Sequence, residues 1–441
     1  MPIKKDLSLH QRLMNRAFGG EVGKLFRGVA VLSSGTVVGR IVGLLSMPLI
    51  TRLYTPEDFG IMAVFTAIIM MAAPLLTLRY GVALPLPKND GIAMNIMAVS
   101  VVIMIVILTV STLLLAFFGE PILRLLSMEA LAPWWWLISL SLLGAGSNEL
   151  LSFWATRKRR YGIIAQTKVI QSLAGNGIKL CIGLVSPGPL GLLLGQFATQ
   201  SGGIGTLIRA FATDISKSWR YVRWRHMRRV ALRHSGFPMF RMPSQLLLVF
   251  AQQAPLLFAT SMFGASMGGQ LGLAISALAL PVSLIGGAVS SALYGEAANI
   301  GMNNPKRLLR LVEATQARLF LMAIGPAVVL FFCGEMLFRV IFGPEWETAG
   351  HFASLLSIYL LFQFTSSPLM QMLNLLNAQY VFLAINVCRA AIVLGLVLVA
   401  SNLNLTAHEF IGAYGILMAL IYAAMSAWVI TTLQAAVRKN S

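Results

Sequence analysis

The chain has 441 residues, 57% of them hydrophobic and only 11% charged, and its 34 Lys and Arg outnumber 15 Asp and Glu to give a net charge of +19. A mean hydropathy of +0.78 excludes a water-soluble domain, because folded surfaces need more charge than this to stay dispersed. A basic excess in a soluble protein would point to nucleic acid. Here most of it falls in short segments between apolar runs, so the expected polar partners are anionic membrane lipids and not nucleic acid.

Each crossing of a bilayer needs ~20 largely apolar residues, and about 12 segments meet that length. In chain order they cover 27–50, 59–78, 92–117, 132–155, 162–184 and 188–210, then 238–263, 269–294, 316–341, 350–374, 379–401 and 409–434. This pattern predicts an all-α polytopic membrane protein. It has a basic segment at 1–26, six spans at 27–212, a basic linker at 213–237, six more spans at 238–434 and a tail at 435–441. Basic clusters such as Arg157-Lys158-Arg159-Arg160 alternate with neutral or mildly acidic connections such as Gly343 to Thr348. Retention of positive loops inside the cell then places both termini in the cytoplasm, with only Arg52 and Arg124 among the basic residues of the outer loops.

The first span carries Gly35, Gly39 and Gly43, a small-residue stripe that predicts close helix packing. At roughly 100° per residue, Ser33, Thr36 and Arg40 share one face of that span. Lys168, Ser172 and Lys179 share one in the fifth, and Arg241, Gln245 and Gln252 in the seventh. In the tenth, Gln363, Ser367, Gln371 and Asn374 form an uncharged stripe. Arg389 lies near the middle of the eleventh. An ionisable group at such depth costs ~2.5–3.5 kcal/mol on insertion scales and needs a partner, a wet cavity or a route to the surface. Acidic partners are scarce, with Glu149 of the fourth span the main candidate for an ion pair with Arg40 or Arg389, or for a coupling role. The expected site is therefore a cavity with Arg40, Arg389, Arg241, Lys168 and Lys179 as its cations and with Ser33, Thr36, Gln245, Gln252, Gln363 and Gln371 as its polar lining. Cations suit phosphate and diphosphate, and amides and hydroxyls suit sugars. Lys168, Lys179 and Arg241 also have a plainer reading as snorkelling cations, Arg40 and Arg389, too central for that, as ion-pair partners of Glu149, and the amides and hydroxyls as interhelical hydrogen bonds.

The central segment Ser216 to Arg233 reads as a positive anchor whose Trp219, Tyr221 and Trp224 sit at headgroup level, or as a dock for an anionic headgroup. Cys181, Cys333 and Cys388 have no metal-ligand spacing and read as small core residues. The five histidines are scattered, and no nucleophile elbow, carboxylate pair or phosphate loop is present. The sequence thus predicts no metal, no cofactor and no enzyme site.

The run from Leu44 to Phe65, centred on Thr51-Arg52-Leu53-Tyr54-Thr55-Pro56-Glu57-Asp58-Phe59-Gly60, resembles the polysaccharide transporters of the multidrug/oligosaccharidyl-lipid/polysaccharide superfamily. Arg79-Tyr80-Gly81 through Lys88, Ser244 through Gln253, Leu280 through Ser291 and Gly295 through Ala298 carry the same resemblance. It implies two six-helix bundles related by a pseudo-two-fold axis, alternating access, and an inner-membrane flippase. Its cargo would be an undecaprenyl-diphosphate-linked oligosaccharide for O-antigen, capsule or exopolysaccharide assembly. The implied partners are that lipid-linked oligosaccharide, a polymerase and other glycan-assembly proteins. Two rivals have different needs. A drug or cation antiporter of the same superfamily needs buried carboxylates. A multi-span glycan polymerase or ligase needs a large outer loop, whereas the longest here is about 15 residues.

Overall fold

The computed structural model describes residues 20–125, 129–186, 188–301, 304–376 and 378–439, and every regular element among them is a helix. Lys4, Lys5, Arg12 and Arg16 of the basic N-terminal segment, and the side chains of Ser33, Gln371 and Asn374, lie outside the described residues. The first half holds α1 (Gly20–Ile50), α2 (Pro56–Leu76), α3 (Asp90–Leu125), α4 (Trp135–Arg157), α5 (Tyr161–Val185), α6 (Pro189–Ser201) and α7 (Ile204–Trp219). A short helix α8 (Trp224–Arg233) follows. The second half holds α9 (Met242–Phe263), α10 (Ala265–Pro281), α11 (Gly287–Ile300), α12 (Pro305–Phe342), α13 (Glu347–Leu355), α14 (Ser357–Ser366), α15 (Met372–Leu375), α16 (Gln379–Leu403) and α17 (Ala407–Lys439).

Seven of the described helices are individually long and apolar enough to cross a membrane, or eight if the pair bent by 54° at Leu356 is one span. The other crossings expected from hydropathy fall on α1, on α4 and α5 with their buried charges, and on α6 and α7. The last two are broken at Gly202 and Gly203, and Gly203 has a left-handed φ of 77°. Proline accounts for the irregular turns. A π-helical turn follows Pro281 between α10 and α11, and another, over Phe237–Arg241, contains Pro238 and leads into α9.

The glycine stripe of α1 packs as expected. Gly35 lies against Ala165 of α5, Gly39 lies against the Lys168 carbonyl, and the Ser172 hydroxyl donates to the Gly39 carbonyl at 2.6 Å. The basic segment 213–237 is largely helical. It finishes α7, turns, and refolds as α8, whose Met227 and Val230 are buried in the first bundle's core. An amphipathic repeat too short to span lies along the bundle and covers its apolar side there. The three cysteines depart from expectation, being free and exposed on the bundle surface. A thiol is as compatible with hydrocarbon as with a protein core.

One apolar core belongs to the first half, around Phe65, Trp154 and Phe211. A second joins both halves, combining Ile50, Tyr54, Phe59 and Ala67 with Leu271, Phe342, Trp346 and Phe410. The bundles are therefore fused at the end that carries Glu57, Asp58, Glu345 and Glu347. Two glycines permit it: a Cβ on Gly60 would strike the Ala265 carbonyl, and one on Gly269 the Pro56 carbonyl. Trp346 Nε1–H donates to the Thr51 carbonyl at 2.9 Å, and its ring meets Phe59 edge-on with centroids 4.8 Å apart. Gln270 ties α10 to α13, donating to the Glu345 carbonyl at 2.6 Å and accepting from Ala349 N–H at 2.8 Å. A capping box starts α2, with Thr55 and Asp58 satisfying each other's backbone N–H.

Gly269→Ala should force α2 and α10 apart at a cost of about 1–3 kcal/mol, since both neighbours are backbone. A cysteine at the fully buried Ala349, in a background lacking the three native cysteines, is then expected to react about tenfold faster with an impermeant maleimide. Unchanged labelling would show that this contact does not hold the end shut.

Candidate functional site

At the opposite, basic end lies a cavity of about 990 Å³. Arg241, Ser244, Gln245 and Leu248 line it from α9, at the i, i+3, i+4, i+7 spacing of one helical face. Asn386 of α16, Ser367 of the turn between α14 and α15, and Arg233 and His234 at the end of α8 face the same space. Phe240 and Tyr380, both exposed, stand at its edge. Its described lining includes no Asp or Glu. Burial, and then the neighbouring Arg233, depress the His234 pKa below its usual value. The imidazole is thus neutral at pH 7, and Arg233 and Arg241 supply the charge.

Asn386 is 2% exposed, and its amide donates to the Phe382 carbonyl at 3.0 Å. Its Oδ1 has no partner among the described residues.

Of the four helices with a predicted wet face, two reach this cavity: the seventh span presents Arg241 and Gln245, and the tenth presents Ser367. Gln252 lies two turns further along α9 and is exposed. The cavity is built within the second half together with α8. Arg389 sits behind its wall, one turn beyond Asn386 and 7% exposed. It donates to the Tyr422 hydroxyl at 2.6 Å and lies over that ring at 4.9 Å. The rings of Tyr359 and Tyr414 complete the box. Aromatic faces and a phenol oxygen, not a carboxylate, accommodate this cation.

Arg40 is exposed on α1, adjacent to Gly39 of the packed face, and has no partner among the described residues. Thr36 is half-buried on the same helix. Lys168 donates to Gln171 at 3.2 Å beside the α1–α5 contact. Lys179 is buried in the first bundle, its stem against Gly195 of α6 and its ammonium 3.5 Å from Gln196. Gln363 is half-buried on α14, one turn from Ser367. These residues are thus distributed over both bundles. Glu149 pairs with neither Arg40 nor Arg389; its partner is Arg79, at 2.8 Å. The preceding turn holds Leu78 and Arg79 at left-handed φ values of 43° and 61°, a geometry that sequence periodicity does not register. The lining residues Ser244, Arg233 and His234 were not singled out as site residues by the sequence reading, and neither was Asn386. A signal existed for Asn386, an amide three residues from Arg389 inside an otherwise apolar run.

The family model described as "Polysaccharide biosynthesis protein" matches residues 49–350. No curated protein sequence matches the chain. Among solved structures, the chain is similar to an inward-facing multidrug resistance MATE family transporter of the MOP superfamily, with TM-score 0.65 and 13% identity over 93% of this chain and 96% of that one. It is similar to the lipid II flippase MurJ in an inward closed conformation, with TM-score 0.69 and 14% identity over 91% of this chain and 87% of that one. A third is a MOP superfamily transporter from Pyrococcus furiosus whose binding pocket is described as reversed in polarity, with TM-score 0.53 and 14% identity over 93% and 96%. The shared fold is two bundles of membrane-crossing helices.

Breaking the Arg79–Glu149 pair from one side leaves a half-buried charge unmatched. Glu149→Gln alone is expected to cost about 2 kcal/mol, and Arg79→Gln with Glu149→Gln distinctly less. Thermal unfolding in detergent checks this, and equal losses in the single and double variants would contradict it.

Proposed function

The chain belongs to the polysaccharide biosynthesis protein family, and within that family we propose that it is a flippase for a lipid-linked oligosaccharide whose linker is a diphosphate. One observation carries the reading: the cavity beside α9 is cationic and amide-lined and has no carboxylate among its described lining residues. A diphosphate offers paired oxygens to the planar donors of Arg233 and Arg241. Gln245, Asn386, Ser244 and Ser367 present amides and hydroxyls to sugar hydroxyls, and a volume of about 990 Å³ is at the upper end of ordinary ligand pockets. The polyprenyl chain stays in the bilayer, with exposed Met239 and Phe240 forming an apolar lip at the opening.

In this proposal the basic end faces the cytoplasm of the inner membrane, both termini lie there, and the fused end faces outward. The cargo enters at the basic end. The two bundles then rock, opening the contact of Gly60 and Gly269 and closing around α9. Outward movement of an anion is favoured by ~2.3 kcal/mol per charge per 100 mV of inside-negative potential. A carrier of lipophilic cations would need the opposite sign of charge in the same cavity, so the lining argues against a drug antiporter.

Purified protein in proteoliposomes, supplied with a fluorescent polyprenyl-diphosphate oligosaccharide, should move it to the opposite leaflet. Arg241→Gln is expected to slow that movement about tenfold or more, as loss of one charge-assisted contact costs ~1.5–3 kcal/mol. Competition by anionic polyprenyl phosphates is expected, and competition by lipophilic cations alone would overturn the reading.

A further inference from the structure

The second half's cavity is not the most basic space in the molecule. A neighbouring one, of about 1190 Å³, lies between the loop that precedes α3 and the chain from Lys217 to His234. Lys88, Lys217, Arg220, Arg223, Arg229 and Arg233 line it, against a single carboxylate, Asp90. That carboxylate is already engaged: its oxygens receive Arg157 at 2.8 Å and Lys158 at 2.7 Å. None of the six cations lies within ion-pair distance of a carboxylate among the described residues.

Uncharged groups also help to hold the pocket in shape. Asn95, 2% exposed, donates to the Tyr221 carbonyl at 3.0 Å and accepts from Arg223 N–H at 3.2 Å. Tyr80 donates its hydroxyl proton to the Ala231 carbonyl at 3.0 Å. Met227 and Val230 anchor α8 in the first bundle's core. Gly91 admits the Tyr221 side chain, whose Cβ would lie 3.2 Å from a Cβ there. Six like charges are thus gathered in one concavity, where an anion of several charges offsets their mutual repulsion. Exposed Trp219 and Trp224 belong to the same segment, and indoles at such positions settle at the level of lipid headgroups.

We propose that this pocket is a loading site for a membrane-borne diphosphate. It is distinct from the cavity beside α9 and is joined to it through Arg233 and His234, which line both. The claim goes beyond translocation: a headgroup binds at the surface first and is handed inward along the shared arginine.

Lysine footprinting reads this pocket locally. The protein is placed in phosphatidylcholine nanodiscs, acylated with a water-soluble amine reagent, and Lys88, Lys217 and the remote Lys306 are quantified by peptide mass spectrometry. Farnesyl diphosphate at saturation is expected to slow acylation of Lys88 and Lys217 about tenfold and to leave Lys306 unchanged. The Arg220→Gln/Arg229→Gln pair should abolish that protection, whereas Arg241→Gln, in the neighbouring cavity, should retain it. Lys88→Gln, read at Lys217 alone, repeats the test from the opposite wall and should weaken protection there. Inorganic diphosphate at the same concentration is expected to protect weakly. Equal protection by it would overturn the membrane-borne source and make the ligand a soluble diphosphate. Absence of protection, or protection that survives the Arg220/Arg229 pair or is lost with Arg241→Gln, would overturn the site. Failed translocation with protection intact would count against the flippase reading and leave this site standing.

Discussion

Uncompensated positive charge, held where hydrocarbon surrounds the protein, is the constraint on which the arrangement depends. Apolar helices can bury a cation only if something replaces its water, and this chain has few carboxylates to spend on that task. It uses them sparingly, with Glu149 given to Arg79 and Asp90 to Arg157 and Lys158. Arg389 is provided for by tyrosines instead. Arg233 and Arg241, lining the cavity beside α9, have no such provision. Under the proposed function, an anionic ligand would offset their charge, and the space would favour one sign of charge.

The opposite end, which carries Glu57, Asp58, Glu345 and Glu347, solves a different problem by close packing and hydrogen bonds between the bundles. Two helices from different bundles approach so closely that neither Gly60 nor Gly269 can carry a side chain, and Trp346 and Gln270 satisfy backbone groups that closure would otherwise orphan. In lipid, where helices gain little from the hydrophobic effect on meeting, such close van der Waals contact and hydrogen bonding carry the association. The seal rests on packing and hydrogen bonds, with no ion pair across it among the described residues.

The helical class was legible in the sequence because span length and hydropathy are properties of single segments. The α1–α5 contact was legible because a glycine stripe has one common physical use. The cavity was only half legible. Periodicity placed Arg241 and Gln245 on one face of α9, but it could not tell which neighbour that face would meet, and so it grouped them with Arg40, Lys168, Lys179 and Arg389 from other helices. Depth along a span indicates how costly a charge is; it does not indicate whether a carboxylate, a ring of tyrosines or open space meets that cost. Arg389 shows the limit most clearly, since its partners Tyr359, Tyr414 and Tyr422 come from two other helices and have no spacing in common with it. The segment 213–237 was opaque for another reason. Its charges dominated the reading, and the two residues that dock it, Met227 and Val230, are a small minority among them.

That docking links the ion pair of the first bundle to the basic space outside it. Arg79 and Glu149 fix the left-handed turn after α2, and the short helical turn at Tyr80–Ala83 follows directly. Tyr80 then reaches α8 through the Ala231 carbonyl, and the loop that continues from this turn supplies Lys88 to the same pocket. A pair of charges inside the first bundle therefore orients both walls of the basic pocket. Rigid-body movement of the first bundle would carry this pocket as one piece, because its walls are tied to α3 and to the turn after α2 rather than to the second bundle. The cavity beside α9 would move with the other half. Arg233, lining both, stands at the boundary across which relative motion of the bundles would transfer a bound anion from one set of cations to the other.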